Sequence, residues 1–508
     1  MQGKKHFSEK IFTHFQLSDR VPEDNFYRRL RTVLDLHWLY KVTQKYYGKE
    51  GQQSIDPVVF FKLMLIGYLE NLGSDRRIIA TVSMRLDMLY FIGYDIDESL
   101  PWHSTLSRTR QLYGDDLFKQ LFKEVLKQCI DKGMVAGRRQ VMDSVAVKAN
   151  ASMDSLTEKE ILDDTSVYTD ELKDDEEKND DDENNKTVSQ ARYQSVQLHH
   201  QWKANAYKDM PKGSKQRQER ARFVSNHTHY STTDPDARVS VKPGKPRQLN
   251  YAAQVSVDTA HHVITHIQTD HADKRDSQCL PSMVRNTVNN LAEHSIQVEE
   301  VYADAGYSSG EALRSLEENN IIGYVPNFGQ YKPSREGFTY DKNNDRYTCS
   351  RGVHLPFKKI TTTSLGYKMK VYRSSSKDCG PCPLRSVCIG KSDFKKIDDS
   401  IDKPLYDRMH ARLQSTNRER IRRLRSSTVE PVLGTLVNFL AMRRVNTRGI
   451  KQASKCILMS AIAYNLKKLL KWEQRKIKTA AMAKIKTLEN GLQSLCCCLF
   501  YSIRYNPF

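Results

Sequence analysis

The chain has no long apolar run, no secretory leader pattern and no glycine-rich phosphate loop, and each of these gaps removes a class of function. The most apolar early segment, Val58 to Leu69, is interrupted by Lys62 and falls short of the roughly 20 residues that a bilayer crossing needs. It reads as a buried helix. The opening Met1-Gln2-Gly3-Lys4-Lys5-His6 is not followed by the apolar core of a signal peptide. Without a glycine loop to cradle phosphates, nothing points to ATP. These gaps lead us to expect a cytoplasmic protein with no membrane partner. In that reducing setting the ten cysteines are thiols or metal ligands rather than a disulfide framework.

What the chain does have is positive charge. Its formal net charge is +19 over 508 residues, and that figure understates the bias. Between Asp154 and Glu183 fifteen acidic residues face three lysines; setting that local −12 aside leaves +31 on the remainder. An excess of that size favours a polyanionic partner, nucleic acid above all. A chain of this length is also too long for one ordinary core and implies two to four structural units.

Start signals recur in order through residues 1–137. Asp56-Pro57 precedes the Val58 run, Ser74-Asp75 precedes Arg76 to Met84, Ser104 precedes Thr105 to Leu112, and Gly114-Asp115 precedes Leu117 to Ile130. They predict an all-α N-terminal domain. Arg108 and Arg110 fall in a short helix after a turn, as in a helix-turn-helix reader of DNA; a solvated helix face is the competing reading. Strand chemistry begins at Arg139. Residues from about 154 to 247 then hold the acidic run and a basic stretch, Lys212 to Arg222, which predicts a charged, mobile insertion. His199-His200, His227 and His229 lack a partner carboxylate at useful spacing, and His261-His262 reads as an exposed pair in a predicted turn. Cys496, Cys497 and Cys498 crowd too closely for one metal.

Three acidic residues stand out against this background: Asp143 in Gln140-Val141-Met142-Asp143-Ser144-Val145, Asp304 in Val301-Tyr302-Ala303-Asp304-Ala305-Gly306-Tyr307, and Glu430 in Thr428-Val429-Glu430-Pro431-Val432. The element order is a strand with Asp143, two hairpin strands joined by Asp258 to His262, a helix from Asp276 to Glu293, a strand delivering Asp304, a helix after Ser308-Ser309, a strand from Ile321 to Val325, and a helix opened by Glu430. That order predicts a mixed α/β sheet of the ribonuclease H-like kind as the core. It would occupy residues 138–329 and be completed by residues 401–475. A small β-rich, cysteine-containing insertion at 330–400 would interrupt it, and a tail would fill 476–508.

With these residues in place, the chain resembles a bacterial insertion-sequence transposase of the DDE class. The resemblance rests on Asp143-Ser144 through Lys148 to Ser152, Ser231 through Asp234-Pro235-Asp236 to Arg238, Leu249-Asn250-Tyr251, Ala303 to Ser309, and Thr428 to Gly434. It covers about residues 5 to 470 and leaves out the acidic run and the tail. It implies that Asp143, Asp304 and Glu430 are catalytic, metal-binding carboxylates. Asp143 would bridge two Mg²⁺ or Mn²⁺ ions, with Asp304 and Glu430 completing one site each. Two such ions roughly 3.5–4 Å apart serve an in-line displacement at phosphorus, and Mg²⁺ takes few protein carboxylates. The partners implied are double-stranded DNA, both element ends and target, and a second copy of the chain in a homodimer or higher assembly. The protein would then be nucleoid-associated. The activity implied is binding of terminal inverted repeats, strand cleavage and strand transfer. A stand-alone nuclease of the same fold and an inactive DNA-binding relic are the alternatives.

Two further groups complete the reading. Arg443, Arg444, Arg448 and Lys451 follow Glu430, and a second arginine stripe runs from Arg408 to Arg425; both suit phosphate contacts that fix register without reading sequence. Cys349, Cys379, Cys382 and Cys388 supply four thiolates, two of them at CxxC spacing. Four is the number a tetrahedral structural Zn²⁺ takes. His354 is a substitute ligand, and reduced structural thiols are the alternative.

Overall fold

Helices begin in the N-terminal region where short polar side chains satisfy their free amides. The computed structural model describes residues 15–48, 54–158, 226, 229–240, 247–329, 331–363, 367–415 and 417–504. The Asp56 carboxylate accepts from Val58 N at 2.6 Å and Val59 N at 3.2 Å, and Pro57 occupies the first helical position, where its missing N–H costs nothing. Ser74 accepts from Arg77 N at 3.3 Å in the same way. The region comprises α1 (Phe26–Val33), α2 (Pro57–Leu69), α3 (Asp75–Val82), α4 (Leu86–Ile92), α5 (His103–Leu112) and α6 (Asp115–Asp131), besides shorter turns. Helix α5 starts one residue before Ser104, with Trp102 at its cap position making no side-chain capping bond. Ser104 therefore lies inside the helix.

The sheet behind these helices is mixed. Strand β1 (Arg139–Lys148) is followed by the short β2 (Arg238–Ser240), then β3 (Gln248–Asp258), β4 (Ile264–His271), β5 (Glu300–Tyr302) and β6 (Ile322–Tyr324). Strand β3 lies antiparallel between β1 and β4, and β2 extends it on the β4 side, while β5 and β6 continue the sheet parallel to β1. Two helices, α7 (Asp276–Ala292) and α8 (Gly310–Glu318), connect β4 to β5 and β5 to β6, as a parallel step in a sheet requires. Residues 159–225, which hold nearly all of the acidic run and the basic stretch, lie outside the described residues, as do residues 241–246.

A second, five-stranded antiparallel sheet follows: β7 (Phe338–Asp341), β8 (Arg346–Cys349), β9 (His354–Thr362), β10 (Lys368–Arg373) and β11 (Lys396–Ser400). Its own core is small, formed by Tyr347, Leu355, Tyr372 and Ile397. The chain then returns through α9 (Lys403–Ser415), α10 (Arg418–Phe439) and α11 (Ile450–Arg504). Among the described residues no helix is long and apolar enough to cross a membrane.

Helix α11 ties these parts together. From Cys456 to Leu466 every residue is buried, so this stretch is enclosed on all sides and mostly apolar, as a helix surrounded by neighbours must be. It packs on α2, α6, β3 and β4, and each fully buried aliphatic side chain there contributes about 1.5–3 kcal/mol. Asn465 lies in this stretch and donates to Ile264 O at 2.9 Å while accepting from Ile264 N at 3.0 Å. Its amide thus closes part of the open edge of β4. The first turn of α11 is held by Asp234, which accepts from Gly449 N at 3.0 Å, and by Asp236, which accepts from Ile450 N at 2.8 Å. The Asp234-Pro235-Asp236 motif is therefore a helix cap supplied from 215 residues away. The N-terminal helices and the mixed sheet share one continuous apolar core.

Several expectations change. Arg110 is only 3 % exposed, and its guanidinium makes two bonds to Asp75, at 2.6 and 3.2 Å; Lys455, equally buried, donates to the Arg110 carbonyl at 2.9 Å. A side chain held this way supports the α3–α5 packing and does not face a duplex. Glu430 lies near the middle of α10 rather than opening it. Arg443, Arg444 and Arg448 stand in the loop between α10 and α11, not on a continuing helix, because Val445 N and Lys148 O bond at 3.0 Å and draw that loop against the end of β1. Breaking the Arg110–Asp75 pair should strand a buried carboxylate: Arg110→Ala is expected to lower unfolding stability in urea by about 3–5 kcal/mol, and a loss below about 1 kcal/mol, typical of a surface pair, would contradict its structural role.

Candidate active site

Strand register sets the two aspartates side by side. In the parallel pairing of β1 with β5, Val141 stands opposite Tyr302; two residues further along each chain come Asp143 and Asp304. Continuing that register leaves them roughly one strand spacing apart, about 4.8 Å. Asp143 sits within β1 opposite Val255 of β3, so its backbone is fixed from that side. Asp304 lies just past the end of β5, where its Oδ1 accepts from Gly306 N at 2.9 Å and holds the turn into Tyr307.

A third carboxylate lies beside them. A Cβ placed on Gly306 would come within 3.0 Å of Asp304 Oδ1 and 3.5 Å of Asp276 Oδ2, so the two acids flank that glycine and its bare Cα is what lets them approach. Asp276, the first residue of α7, accepts from Gln254 Nε2 at 2.8 Å, and Gln254 Oε1 in turn accepts from the Tyr307 hydroxyl. Burial, reinforced by the charges of Asp276, Asp143 and Asp304, pushes the Tyr307 phenol well above its ordinary range. The phenol therefore stays protonated and donates to Gln254 beneath a cluster of negative charge. In the sequence Asp276 had registered only as a helix start; nothing local shows that α7 begins against the Asp304 turn.

Positive charge balances this cluster from α10. Arg425 Nη1 stands 3.3 Å from Asp143 Oδ2, both side chains being largely buried. Arg425, Arg422 and Arg418 also line a cavity of about 480 Å³ together with Asp304, Tyr331 and His410. Glu430 is exposed and lies five residues beyond Arg425. At 100° per residue that is a rotation of roughly 140°, away from the face that carries Arg425 to Asp143. On the same helix Thr428, Val429, Val432 and Leu436 are buried against the core. Asp304 and Asp276 thus flank Gly306, and their charges and that of Asp143 all act on Tyr307, while Glu430 stands exposed on α10. Among the described residues no three His, Cys, Asp or Glu side chains are arranged to hold a metal ion. The donor type at Asp143 and Asp304 nonetheless suits a hard divalent cation, which takes oxygen ligands and keeps several waters.

The other expected contact residues are spread out. Arg108, Arg443, Arg444, Arg448 and Lys451 are exposed; Arg444 donates to Asn150 Oδ1 at 2.9 Å. The four cysteines converge more closely than their spacing suggested. Cys349 at the end of β8 and Cys379, Cys382 and Cys388 in the link from β10 to β11 all line one cavity of about 470 Å³, and all four are free thiols. Their chemistry fits zinc, although they are not gathered into a ligating set. His354 instead shares a hydrogen bond with Thr348 at 3.1 Å.

Two family models match the chain. Residues 15–112, the N-terminal helices through the end of α5, match a Transposase domain (DUF772). Residues 348–470 match a Transposase DDE domain, a span that includes the cysteine quartet, the arginines of α10 and Glu430 but neither Asp143 nor Asp304. No curated protein matches the chain.

Proposed function

We propose that the chain, matched by a Transposase domain over residues 15–112 and by a Transposase DDE domain over residues 348–470, is an insertion-sequence transposase of the DDE class that binds the terminal inverted repeats of its element and cleaves and rejoins DNA strands at a site built on Asp143 and Asp304. The observation that carries this reading is the parallel pairing of Val141 with Tyr302, two residues before Asp143 and Asp304 on neighbouring strands. The strand order, antiparallel on one side of β1 and parallel on the other, supports a ribonuclease H-like core. In the proposed reaction Asp143 and Asp304 hold the divalent cation, Mg²⁺ or Mn²⁺. When bound, that cation activates a water or 3′-hydroxyl and stabilises the leaving oxygen.

The protein's own residues supply the rest. Arg418, Arg422 and Arg425 present guanidinium groups to the cavity beside Asp304, where they orient a phosphate by forked hydrogen bonds. The Tyr307–Gln254–Asp276 chain fixes the turn that carries Asp304. Glu430 is the family's candidate third acid by its place in the DDE match, and Asp276 is the candidate by position. Two DNA ends must be held at once for strand transfer, so the working form is proposed to be a dimer or larger. A nuclease of the same fold would cut without joining, and a joined product in a strand-transfer assay separates the two.

Cleavage of a terminal-repeat duplex tests the site. Asp143→Asn and Asp304→Asn should each lose about a thousand-fold in rate, the several kcal/mol a metal ion supplies at 1.4 kcal/mol per decade, with repeat binding retained; near-normal cleavage by either would remove that residue from the site. Glu430→Gln and Asp276→Asn identify the third acid. A loss as large as that of Asp304→Asn in Glu430→Gln alone assigns it to Glu430, and the reverse pattern assigns it to Asp276.

For the cysteines we propose a structural zinc that closes their shared cavity and staples a sheet with only four core residues. Elemental analysis of purified protein should find about one Zn²⁺ per chain, lost in Cys382→Ser. Folded protein without zinc would leave the four as reduced thiols.

A further inference from the structure

A second basic site lies on a later turn of α10 than the arginines that face Asp304. There the turn between β3 and β4 meets α11, and a groove of about 440 Å³ opens between them. Its walls carry Lys467, Lys468, Lys471, Arg475, Trp472 and the pair His261-His262. Lys467, Lys471 and Arg475 recur every fourth residue, which places them in one row along α11.

No acidic residue lines this groove, and Asp258 and Glu473 beside it are already engaged. Asp258, at the base of the turn, accepts from Gly137 N at 2.7 Å, Gln140 Nε2 at 3.0 Å and Ala260 N at 2.9 Å. Glu473 is paired with Lys132 at 2.8 Å. The cations consequently press on one another. Burial, and then the charges of Lys471 and Arg475, lower the Lys468 ammonium below its ordinary range, and burial followed by Lys468 and His261 does the same to His262. A row of cations without counter-charge is an arrangement that a polyanion relieves.

Trp472 gives the groove a second, independent feature. Its indole donates to Lys132 O at 3.3 Å, and its ring stands 4.3 Å from that of His261, tilted by 51°. An aromatic platform held beside a cationic row is the combination that binds nucleic-acid strands without regard to sequence, stacking adding to phosphate contact.

We propose that this groove holds the sugar–phosphate backbone of a DNA strand outside the cleavage site, as a sequence-independent hold on flanking or target DNA. The proposal rests on the reading of the chain as a DNA transposase, and it assigns a role to the part of α11 around Trp472 that neither the carboxylates nor the cysteines use. Pro431 of α10 also lines the groove, so the track passes the residue next to Glu430.

Binding of the full-length protein to a fluorescent duplex of arbitrary sequence, followed by anisotropy across a salt series, tests it. Each phosphate contact contributes about 0.9 to the slope of log affinity against log salt. Lys471→Gln with Arg475→Gln, both exposed, should therefore reduce that slope by about 2 and weaken binding at low salt by tenfold or more. DNA should also quench an indole emission component that Trp472→Phe removes. A wild-type slope in the double variant, with Trp472 emission indifferent to DNA, would overturn the groove while leaving the transposase reading intact. Wild-type protein that binds no DNA would overturn both.

Discussion

Strand β1 is hydrogen-bonded antiparallel to β3 on one side and parallel to β5 on the other, and the positions of the charged groups follow from that double pairing. A one-residue slip in either ladder would turn Asp143 to the opposite face. The antiparallel side cannot slip without moving nine paired residues, from Gln140–Asp258 to Lys148–Asn250. The parallel side is short, three pairs ending at Tyr302, and it stops where Asp304 must leave the sheet to accept its turn amide. Gly306 then allows Asp276 in, and Arg425 reaches across from α10. A concentration of carboxylates on this scale is unfavourable in isolation; Arg425 and the protonated Tyr307 moderate it, and a divalent cation would relieve it further.

Helix α11 is the counterpart of β1 on the packing side. Its cap comes from Asp234 and Asp236, its buried middle touches both the N-terminal helices and β4, and Arg29 of α1 donates to Leu470 O at 2.7 Å. The N-terminal helices are therefore not a loosely tethered reader. Their placement against the sheet is fixed by the same core that fixes the site, so a contact made by exposed Arg108 would have a defined position relative to Asp143. From Lys471 to Lys476 the helix turns from apolar to basic, and these residues are exposed or half-buried rather than core.

Much of this was legible in the sequence for physical reasons that are local. Asp56-Pro57 and Ser74 announce helix starts because capping depends on a few adjacent residues, and the β3–β4 hairpin shows in two strand-like runs joined by the turn Asp258 to His262. Arg110 misled because a cation at helical spacing reads the same whether it meets water or a buried Asp75. Glu430 misled in a related way. Proline after an acid usually marks a helix start, but here α10 begins twelve residues earlier at Arg418, capped by Asn417. Asp276 was missed because its significance lies in what α7 packs against, which no spacing records. The cysteines lie between these cases: their number suggested one cluster, and only the fold of β8 to β11 brings them to one cavity.

The central claim is that Asp143 and Asp304 form a single cation site. Titration of Mn²⁺ into the full-length protein, with free ion followed by electron paramagnetic resonance, measures it most directly. The account predicts that Asp143→Asn and Asp304→Asn each abolish the tightest uptake seen in the wild type, and that the double variant loses no more than either alone. Wild-type uptake in a single variant, or losses that add, would show that the two aspartates do not share an ion.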